Sequence, residues 1–174
     1  EIIYNAAAIR LSTEKTFSPL LLQEAYIQDN DFIADFKSKT FRSSGSNHKT
    51  VKYILAKIEK YLSGSDIDTD SEIYSIEHIL PESGDTSWGA FTQPEIERSV
   101  YRLGNLTLLE KSLNKKAGSN SYQQKKMVYR ESKITLANQI PEHYEEWSED
   151  AVASRQNMLA SAAKSIWRID FDKK

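Results

Sequence analysis

Two short stretches of this chain lean towards β structure: EIYSIEHIL, stopped by Pro81, and LTLL, which follows Gly104 and Asn105. Both are dominated by apolar residues and bounded by turn formers, the signature of short strands. The second runs directly into EKSLNKK, which has helical spacing. A strand–strand–helix unit is expected there, and the periodicity elsewhere is helical.

Ser18 and Pro19 read as a cap and first helical position opening LLLQEAYI, and DFIADFKSK reads as a second helix. Val51, Ile54, Leu55, Ile58 and Leu62 share one helical face that should end at Ser63-Gly64. Pro94 should start a short helix after a loop around Trp88. Gly118 breaks the helix after the second strand, and Asn120 or Ser121 can cap YQQKKMVYRES. Ser148 caps the last helix, whose packing stripe is Ala151, Val152, Arg155, Met158, Leu159, Ala162, Ile166 and Ile169. The fold class is α+β and mainly α-helical: a short β-hairpin plus helix packed within a shell of about seven helices. Residues 1–45 are expected to be N-terminal helices or a linker from a larger protein, and 46–174 the functional domain.

The 174 residues suffice for one sizeable domain, and the apolar share of 39% with Trp88, Trp147 and Trp167 supplies its core. Without cysteine, disulfides, thiolate zinc sites and a Cys nucleophile are excluded. No apolar run approaches the roughly 18 residues of a membrane span, so a cytoplasmic protein is expected. The net charge of −2 hides an uneven distribution: residues 59–97 carry one basic and ten acidic groups, residues 98–133 nine basic and two acidic. Local patches, more than the sum, decide whether a phosphate backbone is welcome.

The first strand carries Glu77 and His78 side by side between Ile76 and Ile79. Cleaving a phosphodiester requires a base to activate water and a cation to stabilise the leaving oxygen. A neutral His supplies the first, and a hard divalent metal held by carboxylate and amide oxygens the second. Glu77 offers the carboxylate, His78 the base and Asn114 an amide oxygen, while Asn105 can bond across the hairpin to hold the His78 segment in register. Neighbouring strand residues face opposite sides, so bringing Glu77 and His78 together requires a twist or bulge; otherwise Glu77 orients a neighbour. Asp66, Asp68, Asp70, Glu72 and Glu77 have the spacing of a calcium loop, but Ser71 stands where that loop needs Gly. His48 and His143 read as solvated surface groups.

Glu77-His78, Asn105 and Asn114, with a nine-residue step from the first asparagine to the second, resemble the HNH (ββα-metal, or His-Me finger) nuclease motif. YSIEHILPES, RLGNLTLLEKSLNKKAGSNSYQQKK and EEWSEDAVASRQNMLASAAKSIW together resemble the C-terminal nuclease domain of GmrSD-type restriction and anti-phage proteins. YILAKIEKYL fits the helix that precedes the hairpin in that family. The likeness covers residues 50–170, and the 27-residue gap from His78 to Asn105 is longer than in compact HNH motifs.

The resemblance implies a metal-dependent DNA endonuclease using Mg²⁺ or Mn²⁺. His78 would be the general base, Asn105 the hairpin organiser, and Glu77 and Asn114 the metal ligands. Lys115, Lys116, Lys125 and Lys126 are expected to contact DNA backbone, and an NTPase-like domain is expected N-terminal to the chain in the full-length protein. A silent DNA- or partner-binding module and a ribonuclease on the same hairpin are the alternatives.

Overall fold

The strands form where expected. In the computed structural model, which describes residues 2–14, 23, 26–42, 45–83, 88–89, 91–169 and 171, Tyr74–His78 (β1) pairs antiparallel with Leu106–Glu110 (β2). Tyr74 lies opposite Glu110 and His78 opposite Leu106, with no bulge between. The Ile79 N–H bonds the Asn105 carbonyl and the Lys111 N–H bonds the Ile73 carbonyl, extending the ladder past both ends. Odd-numbered β1 residues therefore bond β2, and the carbonyls of Ile76 and His78 point to the open edge.

Helices surround the hairpin. Before it come Ile2–Glu14 (α1), Asp29–Ser38 (α2) and Ser46–Ser63 (α3); Gln93–Ser99 (α4) lies between the strands. After it follow Lys111–Ala117 (α5), Tyr122–Tyr129 (α6), the single turns Thr135–Asn138 (α7) and Ile140–His143 (α8), and Glu149–Trp167 (α9). Among the described residues, no helix is long and apolar enough to cross a membrane. The helix expected after Ser18-Pro19 lies outside the described residues.

The boundaries follow local chemistry. α3 stops at Gly64, where φ of +77° costs glycine little. Thr92 and Glu95 form a capping box on α4, as Ser121 and Gln124 do on α6, and the Ser148 hydroxyl accepts from the Ala151 N–H at the start of α9. Glu59, buried on α3, accepts from the N–H groups of Thr135 and Leu136 and so caps α7 from another helix. Neither α7 nor α8 is anticipated from the sequence.

The core runs between the hairpin, α3 and α9. Leu103, Leu106, Leu108 and Leu109 are fully buried with Val51, Leu55 and Ile58 of α3 and Val152 and Leu159 of α9. Burying each such side chain contributes about 1.5–3 kcal/mol. Trp88 and Trp147 join this core as expected, while Trp167 is half-buried against Tyr53. Met158 and Ile169, read as stripe residues, are exposed.

α9 also holds the turn entering β2. The Arg155 guanidinium, 1% exposed, donates to the carbonyls of Leu103, Gly104, Leu106 and Leu136. Burial brings its pKa down to about 10, so it stays charged at neutral pH. Gln156 accepts from the Gly104 N–H and donates to the Phe36 carbonyl, tying α2 to the same turn. A Cβ on Gly104 would meet the backbone of Val152 and Gln156, so only glycine lets α9 lie this close. Residues 29–42, within the stretch expected as N-terminal helices or a linker, pack against the unit through Gln156 and a bridge between Thr40 and Arg102.

Candidate functional site

His78 ends β1, with its side chain 16% exposed. Its Nε2 lies 3.3 Å from a Glu82 carboxylate oxygen, and its ring meets that of Tyr101 edge-on at 6.2 Å. Burial, against the opposing pull of Glu82, holds its pKa below the usual histidine value. The imidazole is therefore neutral near pH 7, the form that can accept a proton.

Asn105 holds the segment after His78. Its Oδ1 accepts from the Leu80 N–H at 2.8 Å and the Trp147 indole N–H at 3.0 Å. Its Nδ2 donates to the carbonyls of Leu80 and Val100 at 2.9 and 3.1 Å. All four bonds are buried, so the amide clamps the exit of β1 to the entry of β2 and to the loop before α9. Asn105 thus bonds from the entry of β2 to the segment after His78, and Trp147 shares its Oδ1.

Glu77 faces away from His78, as regular strand geometry requires. Its Oε1 accepts from Lys125 Nζ at 2.7 Å and from the Tyr129 hydroxyl at 2.8 Å. The Lys125 ammonium is fully buried, donates also to the His78 carbonyl at 2.7 Å, and lies 5.9 Å from the centroid of the Trp88 ring. Burial pushes the Glu77 carboxyl up and the Lys125 ammonium down, each against the attraction of its partner. The sequence missed this pair because 48 residues separate its members.

Asn114, on α5, donates through Nδ2 to the Ser75 hydroxyl and the Ile76 carbonyl, each at 2.9 Å. Together Asn114 and Lys125 satisfy the outward carbonyls of Ile76 and His78. With its nitrogen fixed in this way, the Asn114 Oδ1 is left as an oriented amide oxygen. A divalent ion on Glu77 would lie against the Lys125 ammonium, so Glu77 and Asn114 as arranged do not fit the expected metal-ligand pair; only Asn114 retains suitable donor chemistry. Among the described residues, no three His, Asp or Glu side chains converge as a metal cluster.

The four expected DNA-contacting lysines separate. Lys125 is committed to Glu77, and Lys126, 3% exposed, donates to the Glu145 carbonyl and pairs with its carboxylate at 2.9 Å. Neither presents an ammonium to a DNA backbone, a correction forced by their burial. Lys116 is exposed but pairs with Glu131 at 2.6 Å, and Lys115 is exposed on α5.

The family model for the C-terminal domain of GmrSD restriction endonucleases matches residues 26–162, most of the chain and all of the hairpin and its flanking helices. This protein belongs to that family. Comparison with curated proteins returns no match.

Proposed function

We propose that the domain hydrolyses DNA phosphodiesters as the nuclease module of a restriction or phage-defence protein, with His78 as the base that activates water. The carrying observation is a neutral, partly accessible imidazole on an immobilised backbone: Asn105 ties down the residues after it and Lys125 its own carbonyl. A water bonded to the His78 ring gives up its proton to the imidazole as its oxygen attacks phosphorus, and the 3′-oxygen departs. Glu82, facing Nε2, offsets the charge the ring acquires. Asn105 contributes by position, keeping the ring where the water is aligned.

Metal dependence is part of the proposal, on the strength of the family likeness: Mg²⁺ or Mn²⁺ would supply charge stabilisation at the leaving oxygen, with Asn114 the residue here able to hold it. Glu77 acts instead through Lys125 and the His78 carbonyl, as a positioning residue. Exposed lysines such as Lys115 hold the phosphate backbone without reading sequence. An NTPase-like domain N-terminal to this one would gate the cut in the cytoplasm.

The test is cleavage of supercoiled plasmid with Mg²⁺ or Mn²⁺, with EDTA as control and His78→Ala beside the wild type. Open circles or linear DNA that require metal and disappear in His78→Ala support the reading. The Glu77–Lys125 pair favours one other reading, a module that binds DNA without cutting it; bound but uncut DNA under every condition would select that one.

A further inference from the structure

A second site adjoins the first. A cleft of about 370 Å³ opens between the first turns of α3, the loop at residues 69–72 and the start of β1. His48, Lys49, Lys52 and Lys111 line it, against the carboxylates of Asp70 and Glu72. We propose that this cleft is a phosphate subsite that holds the DNA backbone beside the bond cleaved at His78, an inference that rests on the nuclease reading above.

Three observations point to an anion there. Lys52 is 7% exposed, and its ammonium is fixed in the cleft wall by the Ser71 carbonyl, a neutral acceptor that leaves its charge in place. The first turn of α3 has no acidic residue and carries His48 and Lys49. That is the reverse of what the helix dipole favours, so the fold bears a local repulsion that a bound anion would relieve. The acidic side of the cleft is mobile in charge terms: Glu72 is highly exposed and meets Lys111 at 3.2 Å, a surface pair that yields easily to a phosphate.

The cleft reaches the strand that carries His78, where Tyr74, on the His78 face of β1, lines it. Ser75 lines it and accepts from Asn114, and Lys111 is the first residue of the helix that carries Asn114. From Tyr74 to His78 is four strand residues, about 13 Å at about 3.3 Å each. A duplex lying along β1 covers that length in about four base pairs, at about 3.4 Å of axial rise each. A backbone seated in the cleft thus runs along β1 towards the imidazole. The subsite takes over the role that the burial of Lys125 and Lys126 leaves vacant, and it explains why basic residues on α3, outside the basic block, face the hairpin.

The test is fluorescence anisotropy of a labelled DNA duplex of about 20 base pairs, titrated across salt concentrations in EDTA so that nothing is cut. Lys49 and Lys111 are exposed, so Lys49→Ala/Lys111→Ala should fold normally. Lys60→Ala, about 16 Å along the same helix, is the control. The double variant is expected to bind about tenfold more weakly, with the slope of log K against log salt reduced by about 2. Lys60→Ala should stay within about twofold of wild type, as surface charges away from the site do. Equal behaviour of the double variant and the control would overturn the subsite, as would tighter retention of an RNA duplex than of DNA. His78→Ala separates the two readings: it should bind like wild type without cutting, and if it cuts normally the catalytic assignment fails while the subsite result stands.

Discussion

The Lys125 ammonium bonds the His78 carbonyl and the Glu77 carboxylate at the same distance, 2.7 Å. One buried charge thereby fixes the strand backbone and neutralises the strand's own acid. Removing one member of such a pair strands the other in the interior. Lys125→Met is expected to lower unfolding free energy by about 3–5 kcal/mol. Glu77→Gln/Lys125→Met should fall short of the summed single losses by about 1–3 kcal/mol. Urea unfolding of the four proteins measures both; strict additivity would show that the pair is not coupled.

His78 should impose an acid limb on cleavage. Its pKa is held below 6.5 by burial, so the rate at low substrate should fall only as pH drops beneath that value. The same shift acts on stability. Between the unfolded pKa and the lower folded one, the unfolded chain binds more protons, so stability is lost as pH falls through the window below 6.5. Melting at pH 7.5 and 5.5 should show that loss in wild type and less of it in His78→Gln.

Asn105→Ala leaves the Leu80 N–H and carbonyl, the Val100 carbonyl and the Trp147 indole N–H without their shared partner. Each buried orphan costs about 1–3 kcal/mol, so a total of about 3 kcal/mol or more is expected. Trp147 fluorescence should change in the folded variant, and plasmid cleavage should drop by about tenfold or more. DNA affinity, which depends on other residues, should hold.

Arg155→Lys keeps the charge and removes the fork that reaches the four carbonyls of Leu103, Gly104, Leu106 and Leu136. Thermal melting should show a loss of about 2–4 kcal/mol, because a lysine ammonium has too few donors in too compact a geometry. A variant as stable as wild type would mean that the carbonyls find other partners.

What the sequence showed and hid divides by distance along the chain. β1, β2, α3, α5, α6 and α9 were legible because their signals are local: alternation, helical spacing, capping residues, Gly64 and Gly118. α7 and α8 were not, since each is one turn, and α7 draws its cap from Glu59 on a different helix. Asn105 and Asn114 could be singled out by their spacing. The burial of Lys125 and Lys126 does have a local cue. Tyr122, Lys125, Lys126 and Tyr129 stand at i, i+3, i+4 and i+7 of α6, and all four are buried. Lysines in a basic block read by type as backbone contacts, whereas the acceptors that make the burial of these two tolerable lie in Glu77, His78 and Glu145.

A two-stranded ribbon would ordinarily be an invitation. Its outer rim offers hydrogen-bonding groups to any extended peptide, including the same segment of a neighbouring molecule. Here the amide of Asn114 and the ammonium of Lys125 occupy the outward carbonyls of Ile76 and His78. A third strand finds those two acceptors already taken. The stretch that carries His78 is thus guarded against self-association by two of the contacts that hold it still.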